Sequence, residues 1–288
     1  MRICRFDGNR FGLVQGDEVR DVTSAFASLP KHAYPFPRTD LMIENLATLR
    51  PVIEAAARDA KPMPLGSLTL QSPIANPGKI VAAPVNYKKH LDEARGDAEI
   101  HHQNAVGEIQ RVGLFLKATS SVVGCGEGVA MRHADRRNDH EIELAVVIGK
   151  AADRVGYDEA LDYVAGYCIG LDMTIRGPEE RSLRKSLDTF TVLGPYFVTA
   201  DEIRDPSGLD LELTVDGEKR QVANTRDLIL DVKTLISWAS SFYTLHPGDV
   251  ILTGTPEGVG PVLPGNTIRA SISGIGAMDV KVRELPPR

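Results

Sequence analysis

Short apolar runs alternate with turn signals from the first residues of the chain. Ile3 to Phe6, Phe11 to Val14 and Val19 to Val22 are separated by Asp7-Gly8 and Gln15-Gly16-Asp17, which predicts a small antiparallel meander. A helix is expected from Thr39 to Ala60, with Thr39 as N-cap, Leu41, Leu46 and Leu49 among its apolar positions, and Pro51 kinking or splitting it. Pro62, Pro64, Pro73 and Pro77 then mark a stretch of low helical potential that reads as a linker, with a boundary near residue 72. Beyond it the pattern turns to strand. Lys79 to Ala83, Leu114 to Lys117, Ile142 to Gly149, Tyr167 to Thr174 and Asp249 to Gly254 are apolar segments bounded by Gly, Pro or Asp. Leu211 to Asp216 and Arg220 to Asn224 read as a hairpin across Asp216-Gly217. Helices are few: one after Tyr87, one near Tyr157 to Val164, one near Pro178 to Lys185, and one at Asp231 to Tyr243. In the last, Val232, Leu235, Ile236, Ala239 and Phe242 follow the helical stripe. Without βαβ alternation a Rossmann or TIM-type fold is disfavoured. The expected class is α+β, mainly β: a small N-terminal domain (1–72, meander plus helix) followed by a β-roll or sandwich body (73–288).

Composition narrows the function classes. The chain has 288 residues, enough for two domains at ~150 residues each. With 33 Lys and Arg against 39 Asp and Glu, the net charge of −6 argues against a nucleic-acid partner, whose binding rests on neutralised phosphates. No run approaches the ~18 apolar residues of a membrane span. The N-terminus carries charges where a signal peptide has an apolar run. Cys4, Cys125 and Cys168 show no CxxC spacing, so reduced thiols in a cytoplasmic protein are expected.

The chemistry gathers in four windows. Glu141 and Glu143, two apart at the start of an apolar strand, point to one face, and Asp172 ends another apolar run. Three hard oxygen donors without His suit Mg²⁺ or Mn²⁺, with Ca²⁺ as a third choice. The bland alternative is a solvated face with Asp172 capping a turn. Three carboxylates and one divalent ion leave about one negative charge, so an acidic substrate needs nearby cations. Arg176, Lys185 and Lys117 are the candidates, or else ordinary surface charges. His90 and Glu93, three apart on a predicted helix, make either an acid–base pair or an exposed i, i+3 contact. His32, His101, His102, His133, His140 and His246 have no comparable context. Finally, Thr253-Gly254-Thr255-Pro256-Glu257-Gly258 follows a strand without the ending of a P-loop; its N–H groups and the Thr255 hydroxyl either hold a carboxylate or form a tight connection.

Taken in order, these windows resemble the fumarylacetoacetate hydrolase family from about Lys79 to Glu284. The matching segments are N-Y-x-x-H-x-x-E at 86–93, F-L-K at 115–117, E-x-E-L-A-V-V-I-G at 141–149 and D-x-x-x-R at 172–176. They continue with K-S-x-D at 185–188, L-G-P at 193–195, R-Q-x-x-N-T at 220–225, P-G-D-V-I-x-T-G-T-P-x-G-V-G at 247–260 and G-I-G at 274–276. The resemblance implies a β-roll catalytic domain, a homodimer, and a metal held by Glu141, Glu143 and Asp172. It also implies an acid–base pair, His90 with Glu93, on a mobile lid helix, and a substrate-binding set of Tyr87, Lys117, Arg176, Glu179, Lys185 and Thr255. The implied activity is divalent-metal-dependent hydrolysis of a C–C bond in a 2,4-dioxo acid of aromatic or sugar-acid breakdown. In it His90, oriented by Glu93, activates water, and the metal and Lys185 stabilise an enolate leaving group. Decarboxylation or isomerisation of a 2-oxo-hept-3-ene-1,7-dioate is the alternative within the class, and a metal-stabilised binding module the alternative outside it. Two departures bear on substrate choice: Glu179 stands where many members have Gln, and Ala118 where they have Pro after F-L-K. Residues 94–113, including His101-His102-Gln103-Asn104, match no readable pattern.

Overall fold

The structure, a computed structural model, describes residues 1–102 and 106–285. Gln103 and Asn104 of the unreadable stretch lie outside the described residues. A twelve-stranded sheet forms the frame. Its path runs Pro62–Pro64, Glu18–Asp21, Arg10–Gln15, Arg2–Phe6, Thr191–Thr199, Val164–Asp172, Ile142–Ile148, Val250–Leu252, Ile80–Ala82 and Phe115–Lys117. The expected meander is present, and its first strand pairs antiparallel with the body of the molecule, Arg2 opposite Val198 and Ile3 opposite Phe197. A five-stranded sheet orders Glu218–Asn224, Asp210–Val215, Thr267–Ile272, Gly276–Glu284 and Val129–Met131. A short three-stranded sheet joins Thr174–Ile175, Asn138–His140 and Gly260–Pro261. The described chain is mainly β with few helices, as the pattern predicts.

Strand alternation divides the core. Along Ile142–Ile148 every residue is buried, and apart from Glu143 the strand reads as an apolar run. Ile142, Leu144, Val146 and Ile148 enter one apolar cluster with Tyr167, Ile169 and Leu171. Ala145 and Val147 enter the other, with Cys168, Leu193 and Leu252. Leu49, Ile53 and Ala57 of the helix Leu46–Asp59 cover this second face, so residues before and after position 72 share one core. By the same parity Glu141, Glu143 and Asp172 belong to the second face and continue it past the end of its apolar packing.

Several local expectations need correction. The predicted 39–60 helix breaks at Asn45 into Leu41–Glu44 and Leu46–Asp59, while Pro51 sits inside the second piece. Asp40, rather than Thr39, caps the first turn, accepting from the Met42 and Ile43 amides at 3.0 and 3.3 Å. Thr39 instead donates to Glu44. Near 157–164 only a 3₁₀ turn forms, Ala160–Tyr163. The helix Val232–Phe242 is capped by Asp231, as its sequence suggests, but Phe242 of the stripe is 70 % exposed and Ser240 is buried instead. Thr191–Thr199 is a fully buried strand that the pattern missed because Gly194-Pro195 interrupts it.

Candidate active site

One ligand atom each from Glu141, Glu143 and Asp172 lies within 4.8 Å of the others, and all three residues are buried. Neighbouring strands bring them together. Ile142 stands opposite Leu171 and Glu143 opposite Gly170, and the Asp172 amide donates to the Glu141 carbonyl at 2.9 Å. Burial pushes the Glu143 carboxyl well above its ordinary range, and the charge of Asp172 pushes it further. Burial would raise Glu141 too, but Lys185 and Arg176 outweigh it and hold that carboxyl at about 2. Three hard, all-oxygen donors crowded this closely in a dry site fit a divalent cation, which relieves the repulsion that Glu143 registers.

The cations meet this cluster from the other side. Lys185 Nζ donates to Glu141 Oε2 and Asp172 Oδ2, both at 2.6 Å, and to Thr174 Oγ1 at 2.7 Å. Lys117, fully buried, pairs with Asp172 Oδ1 and donates to the Phe190 carbonyl at 2.8 Å. Burial pushes the Lys117 ammonium below its ordinary value. Arg176 bridges Asp139 Oδ2 at 2.8 Å and Glu141 Oε1 at 3.0 Å. These three cations therefore belong to the scaffold of the carboxylates as much as to any ligand.

The short helix Lys88–Gly96 carries the proposed acid–base pair. His90 Nδ1 lies 2.8 Å from Glu93 Oε2, and Glu93 Oε1 accepts from the Gly258 amide at 2.9 Å. With Nδ1 donating to Glu93, Nε2 is the nitrogen left as a base. Asn86, fully buried at the foot of this helix, ties it to two other segments. Its amide donates to the carbonyls of Leu230 and Thr253 at 2.9 and 2.8 Å, and its carbonyl accepts from the Leu230 amide at 2.8 Å. The glycine-rich turn packs directly against it. Gly254, at φ +97°, leaves no room for a side chain, since a Cβ would stand 2.6 Å from Asn86 Cβ. Its amide donates to Glu143 Oε2 at 2.6 Å.

A cleft opens onto these groups. His90, Glu141, Glu143, Asp172, Arg176, Lys185 and Thr255 line it, so seven residues singled out in the sequence converge there. Glu93 and Lys117 act one contact back, through His90 and Asp172. Tyr87 and Glu179 do not line the cleft. The Tyr87 ring is 2 % exposed and its hydroxyl has no partner among the described residues. Glu179 makes a double hydrogen bond to Arg136, at 2.9 and 2.8 Å, and this contact holds its carboxyl at about 2. Gly177 makes room for that pair, because a Cβ there would stand 2.0 Å from the Arg136 guanidinium. Sequence reasoning missed Asp139, the partner of Arg176, and Gln221. Buried Gln221 joins three elements: its Nε2 donates to Thr255 Oγ1 at 2.8 Å and to the Pro256 carbonyl at 2.9 Å, and its Oε1 accepts from the Ile142 amide at 3.1 Å. It also missed His101, Arg181 and Arg184, which line the cleft. The R-Q-x-x-N-T segment contained the signal for Gln221, but nothing local to Arg181 or Arg184 separates them from surface charges.

Comparison with known proteins agrees with this geometry. Residues 79–283 match the family described as fumarylacetoacetate (FAA) hydrolase C-terminal. A maleylpyruvate hydrolase of Aquipseudomonas alcaligenes is 56 % identical over 287 residues, covering 99 % of this chain and 100 % of that protein. A mitochondrial oxaloacetate tautomerase of Bos taurus is 32 % identical over 302 residues, covering 98 % of this chain and 91 % of its own. Among solved structures, maleylpyruvate hydrolase from Sphingobium sp. SYK-6, in complex with manganese(II) and pyruvate, superposes with a TM-score of 0.83. It shares 40 % identity and covers 99 % of this chain and 100 % of that one. The chain thus belongs to the fumarylacetoacetate hydrolase family, as a metal-dependent hydrolase of a C–C bond in a dioxo acid.

Proposed function

We propose that the substrate is maleylpyruvate or a close acylpyruvate, cleaved to pyruvate and a free acid in the catabolism of aromatic compounds. One observation carries this reading: the carboxylate triad and His90, held by Glu93, open into the same cleft. The names of the relatives from Aquipseudomonas and Sphingobium support the choice of substrate. Glu141, Glu143 and Asp172 would hold Mg²⁺ or Mn²⁺; when bound, the ion supplies Lewis-acid stabilisation of negative charge on the 2-oxo and carboxylate oxygens. His90 Nε2, its ring held and its positive charge offset by Glu93, takes a proton from water as the water oxygen adds to the 4-carbonyl carbon. The C3–C4 bond breaks, and His90 returns the proton to C3 of the departing pyruvate. Lys185 stands beside the carboxylates to stabilise the charge that develops on that half. Thr255, fixed by Gln221, and Arg176 orient the substrate. Buried and paired with Asp172, Lys117 contributes by fixing that carboxylate.

Among the described residues no helix is long and apolar enough to cross a membrane, and the family expectation of a cytoplasmic homodimer belongs to this proposal. The test is an ultraviolet assay of enol absorbance with several acylpyruvates, run with Mg²⁺, with Mn²⁺ and with EDTA. Metal-dependent loss with pyruvate as product supports the reading. No loss with any acylpyruvate, but CO₂ release or isomerisation of a 2-oxo-enedioate, overturns it in favour of the other chemistry of the class.

A further inference from the structure

The helix Arg181–Lys185 brings three cations to the cleft, and they are not equivalent. Lys185 is buried and bonded to two of the triad carboxylates. Arg181 and Arg184, three residues apart and therefore on one side of the helix, line the same cleft without a carboxylate in ion-pair range among the described residues. The Arg181 guanidinium lies over the Phe115 ring, 5.5 Å from its centroid, and Lys185 Nζ lies 5.6 Å from the same centroid. Arg184 spends one N–H on the Glu179 carbonyl at 2.8 Å, which fixes the side chain and leaves the rest of its donors uncommitted. Both are half-buried, and burial weakens each guanidinium's hold on its proton. At Arg184 the charges of Arg176 and Arg181 add to that effect. The carboxylates of Glu141, Asp172 and Glu180 offset part of this at Arg181, and those of Glu141 and Glu179 part of it at Arg184, but none is in ion-pair range of either guanidinium among the described residues, so an anion bound between the two would relieve them further.

We infer that Arg181 and Arg184 form the clamp that takes the second carboxylate of the diacid proposed above, and that these two residues set the preference for it over a monoacid acylpyruvate. This rests on the function proposed above. The 2-oxo acid end of the substrate belongs with the triad, and the clamp lies along the same cleft, across Phe115. That ring gives the intervening carbon chain an apolar surface. Two planar guanidinium forks suit a carboxylate, which each can bind through paired N–H donors. Arg176, bonded to Asp139 and to Glu141 of the triad, stands at the 2-oxo acid end instead.

The test compares a diacid acylpyruvate with its distal methyl ester, in the Mn²⁺-loaded protein and its Arg181→Gln, Arg184→Gln and double variants. The wild type is expected to favour the diacid by about a hundredfold in kcat/KM, the scale of one or two charged hydrogen bonds. In the double variant that ratio falls to near one, chiefly through a raised KM for the diacid. Calorimetric titration with a saturated 2-oxo diacid and with pyruvate gives a readout independent of turnover, in which the diacid alone loses affinity in the variants. Equal wild-type turnover of ester and diacid overturns the clamp and leaves the proposed hydrolysis standing. Turnover of neither compound overturns the hydrolysis, and the calorimetric ratio then decides the clamp by itself. The Arg181 guanidinium makes no hydrogen bond in the fold among the described residues, so the single Arg181→Gln variant keeps the test usable if the double variant fails to fold.

Discussion

At the inner wall of the cleft, Glu141, Glu143 and Asp172 are buried, and Lys117, Lys185 and Arg176 are bonded to the triad. At the outer wall Arg181 and Arg184 are half-buried and have no carboxylate partner among the described residues. The inner charges are organised by the fold before any ligand arrives, and Asp139 and the Gly254 amide complete their hydrogen bonds. The outer charges, held by the Glu179 carbonyl and the Phe115 ring, gain a charged partner only from a ligand. A buried pair costs several kcal/mol when one member is removed, because the other remains charged in a dry site. A half-exposed cation can be removed with little effect on folding, so its loss shows in substrate choice. On the proposed function, the two walls separate the groups that make the chemistry from those that choose the molecule.

The largest expected effect comes from breaking the inner wall. Asp172→Asn removes a triad oxygen donor's charge and leaves Lys117 without its counterion. We expect catalysis to fall below detection and stability to drop by about 3–5 kcal/mol. Activity with Mn²⁺ and a denaturant melt check the two halves separately; a variant of wild-type stability would show that Lys117 does not need this partner. Next is metal removal in the intact protein. Dialysis against EDTA is expected to abolish turnover and readdition of Mn²⁺ to restore it, and persistent activity at undetectable metal would sink the assignment of the triad.

Chemistry that spares both walls should cost less. His90→Ala is expected to lower kcat about 10²–10⁴-fold, the usual range for a general base, with a smaller change in metal affinity. If hydrolysis is lost while oxaloacetate decarboxylation persists, His90 is tied to the water. Arg181→Gln, acting on the outer wall alone, should shift the diacid-to-ester ratio by about tenfold and leave the melt unchanged. An equal loss on both substrates would erase the distinction between the walls.

The smallest effect is expected at Glu179, which the sequence places near the substrate and the fold places on Arg136. Its carboxyl is held at about 2, below the ordinary 4.5, chiefly by the hydrogen bond from Arg136. A depressed acid contributes stability above its unfolded value and loses it as pH falls toward the folded one. The Glu179→Gln variant should therefore melt slightly below wild type at neutral pH, with the gap narrowing between pH 4.5 and 2. A gap constant with pH would mean that the lost contact is not electrostatic.

The parts of this site that were legible in the sequence depend on local geometry. Period-two alternation places Glu141 and Glu143 on one face whatever the strand packs against. Helical spacing brings His90 and Glu93 together, and they are 2.8 Å apart in the fold. Turn chemistry marked the Asp216-Gly217 hairpin and the glycine turn that seats Gly254. Harder to read was the helix break at Asn45, because Pro51 is the stronger local signal and yet is accommodated within the helix. Tyr87 and Glu179 were placed by resemblance to a motif, and a motif does not say which neighbour a side chain turns toward.

By itself, then, the sequence determined most of the strand and turn pattern, the family, the clustering of the three carboxylates and the contact of His90 with Glu93. Each of these follows from residue type at fixed short spacing or from many segments in one order. Only the tertiary structure decided that Asp139 takes up Arg176, that Gln221 joins Thr255 to the Ile142 amide, and that Lys117 is internal. It alone left Arg181 and Arg184 facing the cleft without a carboxylate. Such outcomes depend on which distant strands and loops become neighbours and how much water they exclude. A charge is paired, buried or left for a ligand through contacts across 34 or more residues of chain, and no local pattern encodes those.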